Sequence, residues 1–192
     1  MAKPLRCALL VFAGVAACAE AADDDAPGSP ASAVAQGVIY NGPSNQFAGG
    51  FSPANAPDGG FGGGDCVATR TPVIFVHGNT VNATFFAKPS TSGVPSVYAT
   101  LRAAGYNDCE LFGITYLSPT EQAQEPLNYH TGAKAARIRD FITAVKAYTG
   151  RSKVHIIGHS MGVTVALHGI TFGNLWGSID SFINVAGACA AL

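Results

Sequence analysis

The segment "KVHIIGHSMGVTVALHG", residues 153 to 169, constrains the fold more than any other part of the chain. It sets the pattern G-x-S-x-G, from Gly158 to Gly162, between an apolar run of strand character and a run of helical character. A strand that turns directly into a helix holds Ser160 in a strained backbone conformation, and side chains at 158 and 162 would collide with neighbouring backbone. The hydroxyl is then presented at the open edge of a sheet. The N–H of Met161 falls at a helix N-terminus, where the dipole favours a developing negative charge. Ser160 is therefore a candidate nucleophile, an arrangement called a nucleophile elbow. A bare G-x-S-x-G also arises by chance, and the competing reading is a serine that only caps a helix.

A second stretch, "PVIFVHGNT" at 72 to 80, reads as a buried strand ending in His77 and Gly78. A loop N–H at that position completes an oxyanion hole, and Asn79 is the candidate donor beside Met161. Further strands are expected at 110–117, 153–158 and 181–187. A helix is predicted over 132–149, where Ile138, Phe141, Ile142, Val145 and Tyr148 recur at helical spacing before Gly150, and a shorter one runs from about 96 to 104. Strands alternating with helices predict an α/β fold, a mostly parallel sheet with flanking helices.

The N-terminus carries Lys3 and Arg6, an apolar run from Cys7 to about Ala17, and small residues before an acidic cluster. That is the form of a secretory signal over 1–21, and it predicts a secreted protein. "VAAC" at 15–18 also resembles a lipoprotein signal, with Cys18 as the lipid-anchored residue. The apolar run is too short to span a membrane, and no transmembrane segment is expected. Charged residues make up only 12% of the chain and the formal net charge is −1, which argues against a nucleic-acid partner. Residues 22–65 are rich in Gly, Pro, Ser, Ala and Asn without helical or strand period, and read as a flexible arm preceding a domain at 66–192. No Gly-Lys-Ser/Thr follows the glycines, so they do not cradle phosphate. The cysteines and histidines lack metal-ligand spacing, and neither metal nor cofactor is expected.

"GGFGGGDCVATRTPVIFVHGN", "VYATLRAAGYNDCELFGITYLS", "VKAYTG" and "HSMGV" together cover about residues 47 to 187, and they resemble the α/β-hydrolase superfamily. Within it they look like class 2 lipases and, more closely, secreted depolymerases of amorphous poly(3-hydroxybutyrate). Gly158 departs from the depolymerase pattern, which carries Ala there. The resemblance implies an ester hydrolase acting on lipid or polyester. It places polymer-contacting tyrosines near "NYH", which makes Tyr129 a candidate substrate contact, with loop packing as the alternative. Because the first two strands are expected to be parallel neighbours, Cys66 and Cys109 fall at the same sheet edge and are expected to form a disulfide. Asn82 of "NAT" is a glycosylation acceptor where the host glycosylates, and Phe85 and Phe86 are read as core.

A serine needs a histidine base, itself oriented by a carboxylate, and in this superfamily both follow the serine in the chain. After Ser160 the chain offers only Asp180 and His168. His168 lies along the same helix, ~12 Å from the serine. Asp180 precedes the fourth recognised strand, away from the elbow, and reads as a turn residue. His77, His130, His155 and His159 precede the serine and are read as structural. The resulting expectation is a partial α/β-hydrolase fold that lacks the C-terminal strands carrying acid and base, with Cys189 left unpaired. Such a chain would be weak or inactive as an esterase, with an edge strand exposed to association. The alternative is a non-catalytic protein that binds an apolar surface or partner.

Overall fold

The computed structural model of this chain describes residues 43–124 and 132–187. Tyr129, His130, Cys18, Cys189 and the expected signal at 1–21 lie outside the described residues. The strands are β1 (Gly60–Phe61), β2 (Val73–Val76), β3 (Leu111–Ile114), β4 (Val154–His159) and β5 (Ile179–Val185). They form one sheet in the order β1-β3-β2-β4-β5, in which β1 is antiparallel to β3 and every other pair is parallel. The fold is thus the mostly parallel α/β arrangement expected. Both β2 and β3 are buried at every position, as continuous apolar runs must be when helices cover both faces.

Among the described residues, four α-helices connect the strands: α1 (Val97–Ala103), α2 (Pro119–Ala123), α3 (Ala133–Thr149) and α4 (Met161–Phe172). Ser96 caps α1 by accepting the Ala99 N–H, and α3 ends at Gly150, whose φ of 68° is the left-handed conformation of a helix stop. One sheet face presents Ile74, Val76, Phe112 and Ile156 to α3 and α4, which contribute Ile138, Phe141 and Val165. The other presents Val73, Phe75, Leu111 and Ile157 to α1 and to a 3-10 helix at Ala83–Ala87. From β2 the chain moves to β3 on one side, then crosses over to β4 on the other. A reversal of this kind opens a crevice at the C-terminal ends of the central strands. Val76 pairs with Gly158, so the loop leaving β2 and the turn leaving β4 emerge side by side.

The arm differs from its composition. Within residues 43–64, Phe51 and Phe61 are built into the core, at 5% and 1% exposed, and β1 extends the sheet. Phe51 packs on Phe47, Phe112 and Tyr148, with ring centroids 5.3, 5.1 and 4.9 Å away. Its aromatics are spaced irregularly by glycine, so no period announces them, and tertiary burial alone orders the segment. Between β3 and α3 lies α2, started by a capping box in which Ser118 and Glu121 bond reciprocally. The fourth recognised strand begins earlier than expected, so Asp180 lies within β5 rather than in a turn before it.

Cys66 and Cys109 are joined as a disulfide, Cα atoms 5.8 Å apart, just before β3. Next to it the buried Glu110 carboxylate accepts the N–H groups of Thr69 (2.6 Å), Arg70 (2.8 Å) and Asn107 (2.9 Å) and the Thr69 hydroxyl (2.9 Å). Burial opposes the charge, but the amides of Asn107, Arg70 and Thr69 outweigh it and hold the carboxyl below its ordinary range. Glu110→Gln turns an NH2 toward donors that need an acceptor. It is expected to lower the unfolding free energy by about 2–3 kcal/mol, read from urea midpoints at pH 7.

Candidate active site

Ser160 joins β4 to α4 with φ 52° and ψ −126°, a left-handed conformation that a non-glycine residue adopts only where its surroundings impose it. Its N–H donates to Val185 O (2.9 Å), which fastens the turn to the end of β5. The side chain makes no capping hydrogen bond to α4, which removes the helix-cap reading of this serine. The flanking glycines have different reasons. A Cβ on Gly162 would lie 2.3 and 2.4 Å from the carbonyl oxygens of His77 and Val76, because α4 starts directly against the end of β2. A Cβ on Gly158 would meet Val163 at 3.1 Å, tight but not prohibitive. Met161 opens the helix, where its N–H has no intrahelical partner to serve.

The loop after β2 lies against this turn: a Cβ on Gly78 would stand 3.2 Å from the Ser160 Cβ and 2.8 Å from His159 Nδ1. Asn79 follows, half-buried, and Thr80 after it has φ 60°, with its N–H donating to Asn79 Oδ1 (3.0 Å). The loop is held by His77, which is fully buried. One face of its ring stacks on Tyr116 with centroids 4.3 Å apart. Tyr116 N–H donates to His77 Nε2 (3.3 Å) and Tyr116 O–H donates to His77 O (2.8 Å). Nε2 is thus an acceptor, so Nδ1 carries the proton and donates to Gly78 O (2.7 Å). The imidazole is neutral. Burial pushes its pKa down to about 4 against the opposing hydrogen bond to Gly78, and the neighbouring His159 adds to the fall.

This has a consequence for acid stability. Unfolded His77 takes a proton near pH 6.5, whereas the folded group stays neutral to about 4. Between those values the unfolded state binds more protons, so stability falls as pH falls from about 6.5 to 4, by up to about 3 kcal/mol. Burial lowers His155 and His159 as well, in the same direction. Urea midpoints at pH 7.5 and 4.5 read the total loss, and His77→Asn is expected to flatten the slope while lowering both midpoints.

None of the described histidines is aligned as a base for Ser160. His77 has both ring nitrogens engaged. His159 stacks on Phe85, centroids 4.7 Å apart, with Nδ1 buried and unpartnered against the loop. His168 packs edge-on against Phe172 along α4. His155 lies near the start of β4, at the sheet edge opposite the elbow. There Ser181 Oγ (2.7 Å) and Asp180 (3.6 Å) both approach its Nδ1. A relay needs both ring nitrogens, one for the serine and one for the acid, so this cluster is no second triad. Among the described residues no His/Cys/Asp/Glu group of three could hold a metal, and no helix is long and apolar enough to cross a membrane. Asn82 uses Oδ1 to cap the 3-10 helix, accepting Thr84 N–H (3.0 Å) and Thr84 O–H (2.6 Å). Phe86 is core as expected, but Phe85 is 37% exposed, since its ring is turned to His159. Sequence reasoning missed Thr115 and Tyr116 as supports of the loop, for nothing local marks a residue whose partners lie 32 and 39 positions away.

The family model described as lipase (class 2) matches residues 70–188, a span that holds both the loop and the elbow. The chain belongs to the class 2 lipase family. Among solved structures it is similar to lipase B of Aspergillus fumigatus, at 18% identity and a TM-score of 0.46 over 62% of this chain and 24% of that one. It is also similar to a Bacillus licheniformis lipase in mature form, at 18% identity and a TM-score of 0.43 over 62% of this chain and 42% of that one. The propeptide form of the same lipase is matched over 24% of its length. This class 2 lipase family member therefore spans less than half of each of those lipases. No curated protein matches it.

Proposed function

We propose that this chain carries the nucleophile and oxyanion half of a carboxylic ester hydrolase acting on lipid or polyester. Ser160 Oγ attacks the acyl carbon, and its proton passes to a histidine outside the described residues. The backbone N–H groups of Asn79 and Met161 hold the oxyanion. Collapse of the tetrahedral intermediate expels the alcohol, and water then releases the acid from the acyl-serine. The observation that carries this reading is Ser160 itself, strained at φ 52° with a hydroxyl that serves no cap, beside a loop locked by a neutral His77.

The test is co-expression with the C-terminal segment of another class 2 lipase, assayed on triglyceride emulsion and on amorphous poly(3-hydroxybutyrate). Hydrolysis lost on Ser160→Ala supports the reading, and hydrolysis indifferent to that change sinks it. Activity on polymer without triglyceride assigns a depolymerase, with Tyr129→Ala expected to raise KM for polymer. The N-terminal signal supports export: mature protein beginning at Ala22 in the medium would fit free secretion, and palmitate incorporation lost on Cys18→Ser would fit a lipid anchor instead. The second reading, a non-catalytic protein that associates through its sheet edge, draws on His77, whose ring nitrogens are both engaged, and on β5, which is outermost among the described strands and leaves Ile183 37% exposed.

A further inference from the structure

We infer that the exit of β3 clamps the oxyanion loop at both ends through consecutive residues, and that Asn45 of the N-terminal segment sets the second clamp. This rests on the reading of residues 77–82 as the oxyanion loop. Tyr116 holds the near end, at His77. Thr115 holds the far end: its Oγ1 accepts the N–H of Ala83 (3.1 Å), the first residue of the 3-10 helix. That amide is an orphan donor of a helix start, and it is buried, so without Thr115 it has no acceptor from its own helix. Between the two clamps lie Gly78, Asn79 and Thr80, the stretch that must present a donor to the oxyanion.

The direction of the bonds is forced. An amide N–H only donates, so the Thr115 hydroxyl accepts from Ala83 and has its single proton to give elsewhere. It gives it to Asn45 Oδ1 (2.6 Å). Asn45 is oriented in turn, since its Nδ2 donates to Asp58 O (2.9 Å), which leaves Oδ1 facing the hydroxyl. The Thr115 N–H donates to Gly59 O (3.0 Å), so the same segment also fixes the backbone at this point. Thr115 is 1% exposed, and water cannot replace these partners. The N-terminal segment thus acts on the loop through one hydroxyl: Asn45 locks the rotamer in which Thr115 can accept. Thr115 and Asn45 are positioning residues, neither touching substrate.

Amide hydrogen exchange on the full 192-residue chain, read by mass spectrometry at pH 7, tests this. In Thr115→Val, peptides covering 78–87 are expected to exchange about tenfold faster, with peptides of β4 and α4 unchanged. Thr115→Ser keeps the hydroxyl and is expected to restore protection. Asn45→Ala leaves Thr115 intact and loosens the same peptides to a smaller degree, which keeps the test open if Thr115→Val fails to fold. Unchanged exchange at 78–87 in both Thr115→Val and Asn45→Ala, or equal acceleration throughout the chain, would overturn the inference. Labelling of Ser160 by a fluorophosphonate in the chain co-expressed with the C-terminal segment of another class 2 lipase reports on the ester-hydrolase reading separately. A serine that does not label even then rejects that reading, while exchange alone decides the clamp.

Discussion

Purified as the 192-residue chain, the protein is expected to hydrolyse p-nitrophenyl butyrate about 10⁶-fold more slowly than a lipase with a full triad. Ser160→Ala is expected to leave that rate unchanged. At neutral pH the serine hydroxyl keeps its proton unless an imidazole takes it during attack. Of the described histidines, His77 has both ring nitrogens engaged, by the Gly78 carbonyl and the Tyr116 amide, His155 bonds Ser181 at the far end of β4, His159 stacks on the Phe85 ring and His168 packs against Phe172 along α4. An oxyanion hole and substrate binding alone give about 10³ to 10⁴-fold over water, and that residue of catalysis does not use the serine. Supplying the C-terminal segment of another class 2 lipase should raise turnover and make it depend on Ser160. Fast, Ser160-dependent hydrolysis by the chain alone would reveal a base within it, and His130→Ala would then be the variant to assay.

The second large effect concerns the two glycines of the elbow, which the motif treats alike and the structure does not. Gly162→Ala drives a methyl into the carbonyl oxygens of Val76 and His77 at 2.3 to 2.4 Å, and both belong to backbone at the end of the central strand. Relief requires α4 to separate from β2, which opens the core at Ile74, Val165 and Ala166. The variant is expected to lose more than about 3 kcal/mol, at or beyond the upper end of ordinary overpacking. Gly158→Ala meets Val163 at 3.1 Å or more, a contact that a shift of a few tenths of an ångström relieves, and it should cost less than about 1 kcal/mol. Urea midpoints of the two single variants measured side by side decide the matter. Equal losses would mean that α4 is not seated as described.

Much of this was legible in the sequence, because local constraints wrote it there. The run at 72–76 is apolar without alternation, since both of its faces are covered, and it is β2, while Val154, Ile156 and Ile157 mark the buried positions of β4. The spacing of Ile138, Phe141, Ile142 and Val145 follows the buried stripe of α3. G-x-S-x-G fixes a strand, a turn and a helix within a few residues, so the elbow could be read before any fold was known. What no local pattern carried was the placement of groups that act across distance. The aromatics of residues 43–64 have no period, and only tertiary packing makes them core, Phe51 against Phe112 and Phe141 on one sheet face and Phe61 against Phe75 and Tyr98 on the other. The neutral state of His77 depends on a Tyr116 amide that the sheet brings to its ring, and the Ala83 amide depends on the Thr115 hydroxyl just past the end of β3. The protonation state of a histidine and the partner of a buried N–H are set by desolvation and by groups within about 3 Å. Sequence specifies which residues exist to meet that need, and only the tertiary structure decides which of them come within that distance.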